Sequence, residues 1–305
     1  GIVRAIELTG QNITGTLPSE LGLLSTLQSI GLSDNLFSGT IPAEWAVPSL
    51  RNLELANNFL VGPIPTRALG TNSSLLERID LRFNSLTGTI GTEIGLLDQT
   101  RGVFLTGNLL SGSIPSEIGN MRRLEFMYMD LNFLNGTLPT EVGRIRRLED
   151  LYLQDNALEG PIPSEIGNMI SLFGLRLSRN LLTGTIPEEI YGLGNLFRLE
   201  LSSNALTGTL SPQIENLDGL VVLRVDRNSL TGPLPVELSE LASLRLLWIH
   251  FNQFTGSIPS EYCVNAGPGL LEFLTADCGP LSSPAQPCAC CSQCCDRTSQ
   301  TCVSV

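Results

Sequence analysis

Apolar and polar positions along this chain recur in rows of 24. Three successive rows, "LEDLYLQDNALEGPIPSEIGNMIS", "LFGLRLSRNLLTGTIPEEIYGLGN" and "LFRLELSSNALTGTLSPQIENLDG", align residue for residue. In the first, Leu148, Leu151 and Leu153 point inward, and Leu151 with Leu153 follow the period of two of a short strand. One slot then holds Gln11, Asn35, Asn58, Asn84, Asn108, Asn132, Asn156, Asn180, Asn204, Asn228 and Asn252, with an unbroken spacing of 24 from Asn84 onward. A glycine follows four residues after each, and proline three residues later in nine of the eleven turns, Gly91 and Ser211 being the exceptions.

This pattern predicts a coil per row. Strands one coil apart stack in parallel, roughly 4.8 Å from their neighbours. A buried Asn at the bend reaches the backbone of the adjacent coil, so its repetition makes a ladder that satisfies buried polar groups. Gly lets the backbone turn, and Pro ends the extended segment. Glutamate stands two residues past the proline slot in nine turns, from Glu20 to Glu261, which reads as the first turn of a short helix. Carboxylates favour that end of a helix; gathering calcium is the alternative use of such stacked acids. Each coil contacts only its neighbours, so one continuous core is buried by stacking. The expected organisation is eleven repeats over residues 1–262, then a final partial repeat and a Cys-rich carboxy-terminal cap over 263–305.

The unit LxxLxLxxNxLxGxIPxxxGxLxx resembles the plant-specific class of leucine-rich repeats, as in receptor-kinase ectodomains and polygalacturonase-inhibiting proteins. The resemblance runs from residue 1 to about residue 275. It implies an α/β repeat fold: a right-handed solenoid with a parallel β-sheet on the concave face and short 3-10 or α helices on the convex side. The chain departs from that class in lacking a cysteine-paired amino-terminal cap, so its first turn is expected to expose an apolar edge. It also carries no transmembrane or kinase region. The Cys-rich tail is similar instead to secreted repeat proteins of diatoms and related microalgae.

Composition narrows the function classes. The formal charge of −12 argues against nucleic acid, whose phosphates need a basic face. All eighteen basic residues are arginine. No apolar run is long enough to span a bilayer. The eight cysteines, Cys263, Cys278, Cys288, Cys290, Cys291, Cys294, Cys295 and Cys302, begin where the repeat fails. Four disulfides sealing the open end of the stack fit that placement, with 105 pairings possible. The rival is a thiolate metal cluster using the CxCCxxCC spacing, but zinc sites prefer separated CxxC pairs, often with histidine, and none lies near. No metal or cofactor is therefore expected. Disulfides place the chain outside the cell, secreted or at the cell surface. Sequons at Asn12, Asn72 and Asn135 agree, with Asn72 in the lengthened third-to-fourth turn, expected to be a surface loop.

Outward strand positions can be read at one-coil steps. Phe104, Tyr128 and Tyr152 fall in consecutive coils, with Phe126, Asp130, Gln154 and Arg176 around them. Aromatics and arginine dominate interface energetics, so this stripe is the expected ligand site, its rings exposed. Packing along the sheet is the alternative explanation. A basic edge is formed by Arg122, Arg123, Arg144, Arg146 and Arg147, suited to anionic groups or to pairing with nearby glutamates. Trp248, His250 and Phe251 are expected to seat the cap, a second binding patch being the alternative. Ser202, Asp226 and His250 share one column, but Asp226 stands between the other two, whereas a triad needs histidine in the middle. The chain is therefore expected to be no enzyme. The expected function is binding of an extracellular protein, peptide or polysaccharide through the concave face, in adhesion or matrix organisation. The alternatives are a structural matrix protein and an inhibitor of a secreted hydrolase.

Overall fold

The computed structural model describes residues 2–256, 258, 262, 271–277, 291–296 and 301–304. They fall into two compact units, residues 1–158 and 159–305. The boundary at residue 262 read from the repeat lies inside the second unit.

In the first unit the expected strands form one parallel sheet: Ala5–Glu7, Ser29–Gly31, Asn52–Glu54, Arg78–Asp80, Gly102–Phe104, Phe126–Tyr128 and Asp150–Tyr152. Register is fixed by the repeat, so that Met127 lies beside Val103 on one side and Leu151 on the other. These central residues are fully buried, and a one-residue slip would turn them all to solvent. Pro-preceded 3-10 helices, such as Ser116–Asn120 and Thr140–Arg144, carry Glu117 and Glu141 in their first turns. A Cβ at Gly119 would lie 2.3 Å from the carbonyl oxygen of Glu141. Only glycine lets successive helices approach so closely.

A second parallel sheet lies between the Asn slot and the proline, which the single-sheet expectation did not include. Its strands in this unit are Thr14–Thr16, Leu36–Gly39, Phe59–Gly62, Ser85–Thr89, Leu109–Gly112 and Phe133–Thr137. The Asn ladder makes it possible. Asn132 Oδ1 accepts the Leu110 N–H at 3.1 Å, while its Nδ2 donates to the Leu105, Met129 and Asp130 carbonyls. The side chain thus holds the preceding coil extended as it leaves the bend. Residues 66–72 are an α-helix, not a loop; Asn72 is its last residue and is exposed. In the first coil Ile2 and Leu23 are 71% and 83% exposed, the expected apolar edge.

The second unit repeats the plan with strands Gly174–Arg176, Arg198–Glu200, Val222–Arg224 and Leu246–Trp248. Phe273–Asp277 and Gln293–Asp296 add in parallel, and Thr301–Ser304 closes antiparallel to the last. Cys295 is bonded to Cys302 across that hairpin, and Cys291 and Cys294 are also in disulfides. These four cysteines are disulfide-bonded as expected. Cys263, Cys278, Cys288 and Cys290 lie outside the described residues.

Candidate functional site

The strand "RIDLR" alternates Arg78, Asp80 and Arg82 on the outward face of the first unit's main sheet. Arg82 grips Asp80 with two bonds of 2.8 and 2.7 Å, and Arg78 Nη2 reaches the same carboxylate at 3.0 Å. The Asp80 contact raises the Arg82 pKa, so this cation is permanent. Arg78 also meets Glu54 at 3.1 Å.

These guanidiniums change the next coil. Arg78 lies 4.1 Å and Arg82 5.2 Å from the Phe104 ring centre, a cation–π arrangement. Phe104 also folds back over Gly102, where a Cβ would stand 2.4 Å from the ring. It is only 5% exposed, which corrects the expectation of an exposed ring: the accessible groups here are Arg78 and Arg82. Asp130 is likewise buried and accepts the Thr106 hydroxyl at 2.7 Å, which corrects its placement as a surface contact.

The remaining rings are half-exposed. Tyr128 meets Phe104 edge-on at 5.1 Å and stacks on Tyr152 at 4.4 Å and 10°, with Phe126 6.4 Å from Tyr128. Tyr128 donates its hydroxyl to Asp150 Oδ2 at 2.9 Å. Burial and this bond push its pKa well above the usual phenol range, so it stays a neutral donor. Asp150 Oδ1 and Gln154 Oε1 are buried with no hydrogen-bond partner among the described residues. Buried acceptors without donors are rare in folded chains. The face thus combines a ring stack, two fixed cations and two acceptors lacking a donor. Arg78, Arg82, Asp80 and Asp150 were missed as participants, though the alternation in "RIDLR" places the first three outward by period alone.

Arg176 belongs to the second unit, where it stands 3.4 Å from Glu200. Glu200 also meets Arg198 at 2.8 Å and Arg224 at 3.6 Å, and Arg224 lies 3.8 Å from the Trp248 ring centre. Ser202 donates to Asp226, and His250 Nε2 is 3.7 Å from the other oxygen of that carboxylate. Asp226 is therefore between serine and histidine, the order that prevents histidine from taking the serine proton. His250 Nδ1 is 2.7 Å from Thr275 Oγ1, Phe251 donates its N–H to Asp277, and Trp248 lies 6.0 Å from Phe273. All three residues contact the Phe273–Asp277 strand, within the segment expected to be the cap.

Arg122, Arg123, Arg146 and Arg147 are exposed between helix and strand, and Arg144, also exposed, ends the 3-10 helix 3.9 Å from Glu141. Asn12 and Asn135 are exposed, both on the second-sheet side.

Fold and site together define a class: a scaffold of stacked repeats with outward strand faces. The chain belongs to the leucine-rich-repeat family, with repeats of the plant type. The family's signatures match residues 146–206 and 243–264. A solved leucine-rich-repeat protein of Leptospira interrogans is 31% identical over 86% of this chain and 69% of its own, with a TM-score of 0.66. A plant peptide hormone receptor, solved in complex with its peptide, is 36% identical over 88% of this chain and 43% of its own, with a TM-score of 0.82. A plant ice-binding protein is 28% identical over 80% of this chain and 78% of its own, with a TM-score of 0.65. The curated relative "MDIS1-interacting receptor like kinase 1" of Arabidopsis thaliana is 36% identical over 98 residues, so the match spans 9% of its length and 32% of this chain.

Proposed function

We propose that the main-sheet face of residues 1–158 binds an extended peptide or protein segment outside the cell. The carrying observation is the half-exposed Tyr128–Tyr152 stack, continued by Phe104 to the accessible Arg78 and Arg82 guanidiniums. The side chains of an extended peptide cover the rings. Arg78 and Arg82 add preference for an acidic or carboxy-terminal group, since arginine suits planar carboxylates. Phe126, Tyr128, Tyr152 and Gln154 are the proposed contacts. Phe104 supports the stack from beneath. The plant peptide hormone receptor supports this reading as a similar scaffold with a peptide ligand. The test is selection from a displayed random-peptide library, followed by titration of the enriched peptide. Tyr152→Ala is expected to weaken binding about tenfold or more, as a loss above 1.4 kcal/mol at an interface centre implies. Unchanged affinity would remove the stack from the site.

A second reading takes ice as a ligand. The similarity to a plant ice-binding protein over most of both chains favours it, and so does a second outward face free of strong charge.

A further inference from the structure

The second sheet has different chemistry from the strand face. In the second unit its outward positions carry Thr183, Thr185, Thr207, Thr209, Thr231 and Thr255, all exposed, and no charge past Glu159. In a chain with 30 acidic and 18 basic residues, such a charge-free surface is a specific feature.

Four of these threonines are held against a neighbouring coil. Thr207 and Thr231 donate their hydroxyls to the Gly184 and Gly208 carbonyls of the preceding coil, each at 3.2 Å. That ties the hydroxyl to the sheet and turns the methyl away from it. In the neighbouring column the methyl is the seated group. A Cβ at Gly208 would lie 2.8 Å from Thr185 Cγ2, and one at Gly232 2.7 Å from Thr209 Cγ2. Those glycines have φ of 81° and 75°, so the seat exists only because glycine occupies a left-handed position.

We infer that this threonine face of residues 159–256 is an ice-binding surface, an inference that rests on the second reading above. Across this sheet Thr185 pairs with Thr207, about 4.8 Å away, and such an array of methyls and hydroxyls offers nothing to an ionic ligand. Its complement is a periodic, uncharged lattice of donors and acceptors with a repeat of similar size, which an ice surface is. Side chains held against a neighbouring coil carry less of the ordering cost that flexible ones would carry on contact. The first unit has similar columns, with Thr16 and Thr40 methyls over Gly39 and Gly62, but Asn12 and Asn135 with their sequons stand on that side. The second unit's threonine face carries no sequon.

The experiment is inhibition of ice recrystallisation by the full chain, with its disulfides intact. Wild type is compared with Thr185→Arg/Thr209→Arg, with Thr231→Arg as an independent variant, and with Tyr152→Ala. Circular dichroism checks that each variant is folded. Wild type is expected to inhibit crystal growth, and both arginine variants to need concentrations higher by an order of magnitude or more, while Tyr152→Ala matches wild type. An inactive wild type overturns the ice reading itself. An active wild type with equally active arginine variants keeps ice as a ligand but overturns this face as its site.

Discussion

Asn132 shows what a single residue contributes. Its amide accepts one N–H and donates to three carbonyls at 3.0–3.2 Å, all within a buried seam. Replacing it with alanine leaves those groups without partners, at about 1–3 kcal/mol. Asn132→Ala is therefore expected to lower the urea midpoint clearly, whereas Asn135→Ala, exposed on the surface, leaves it unchanged. His250 gives a pH dependence. Burial is the main cause that lowers its pKa below 6.5; Arg227 and Arg224 act the same way, while Asp226 and Asp277 oppose them. The unfolded chain then takes up the proton first as pH falls, so stability is intact above about pH 6.5 and declines below it. His250→Gln should flatten that acid limb in unfolding measurements between pH 7 and 5. An unchanged slope would assign the limb to carboxylates instead.

Elements here are set by spacing between coils more than by local propensity. Strands of three residues have no independent stability, and they hold because each is paired with neighbours of the same register. Gly119→Ala tests the helical side: its methyl would meet the Glu141 carbonyl, an overpacking cost of about 1–3 kcal/mol, measured by denaturant unfolding. The repeat made the main strands, the Asn ladder and the helix starts legible in advance. The second sheet was less so, because "LTGT" lacks the apolar alternation of a strand with one buried face and reads as a turn. Helix Thr66–Asn72 was hidden because its two extra residues look like a loop insertion. At the site, period alone placed Tyr128 and Tyr152 outward. It carries no information on which outward ring another side chain covers, so the burial of Phe104 beneath Arg78 and of Asp130 against Thr106 emerged only from the packing.

At the scale of the molecule, each unit couples a rigid stack to an outward face built from positions the core leaves free. The hydrophobic repeat fixes backbone and register, and the residues between the leucines vary from coil to coil without disturbing it. That separation lets a charged, aromatic face and a charge-free threonine face exist on one scaffold. The strand Phe273–Asp277, through Thr275 and Asp277, and the hairpin closed by Cys295–Cys302 complete the second unit. Breaking the Cys295–Cys302 bridge is expected to cost the second unit about 2–3 kcal/mol for a closed loop of this length, and full reduction at least as much. Protection of amides in residues 246–277 under reducing conditions reports it by hydrogen exchange. Binding of a peptide-like ligand across Tyr128 and Tyr152, proposed for the main-sheet face of residues 1–158, is open to direct test. The most direct measurement is calorimetric titration of one library-selected peptide into wild type, Tyr128→Ala, Tyr152→Ala and Thr209→Arg. Binding that is lost in both tyrosine variants and kept in Thr209→Arg is the predicted result; equal affinity in all four proteins would contradict it.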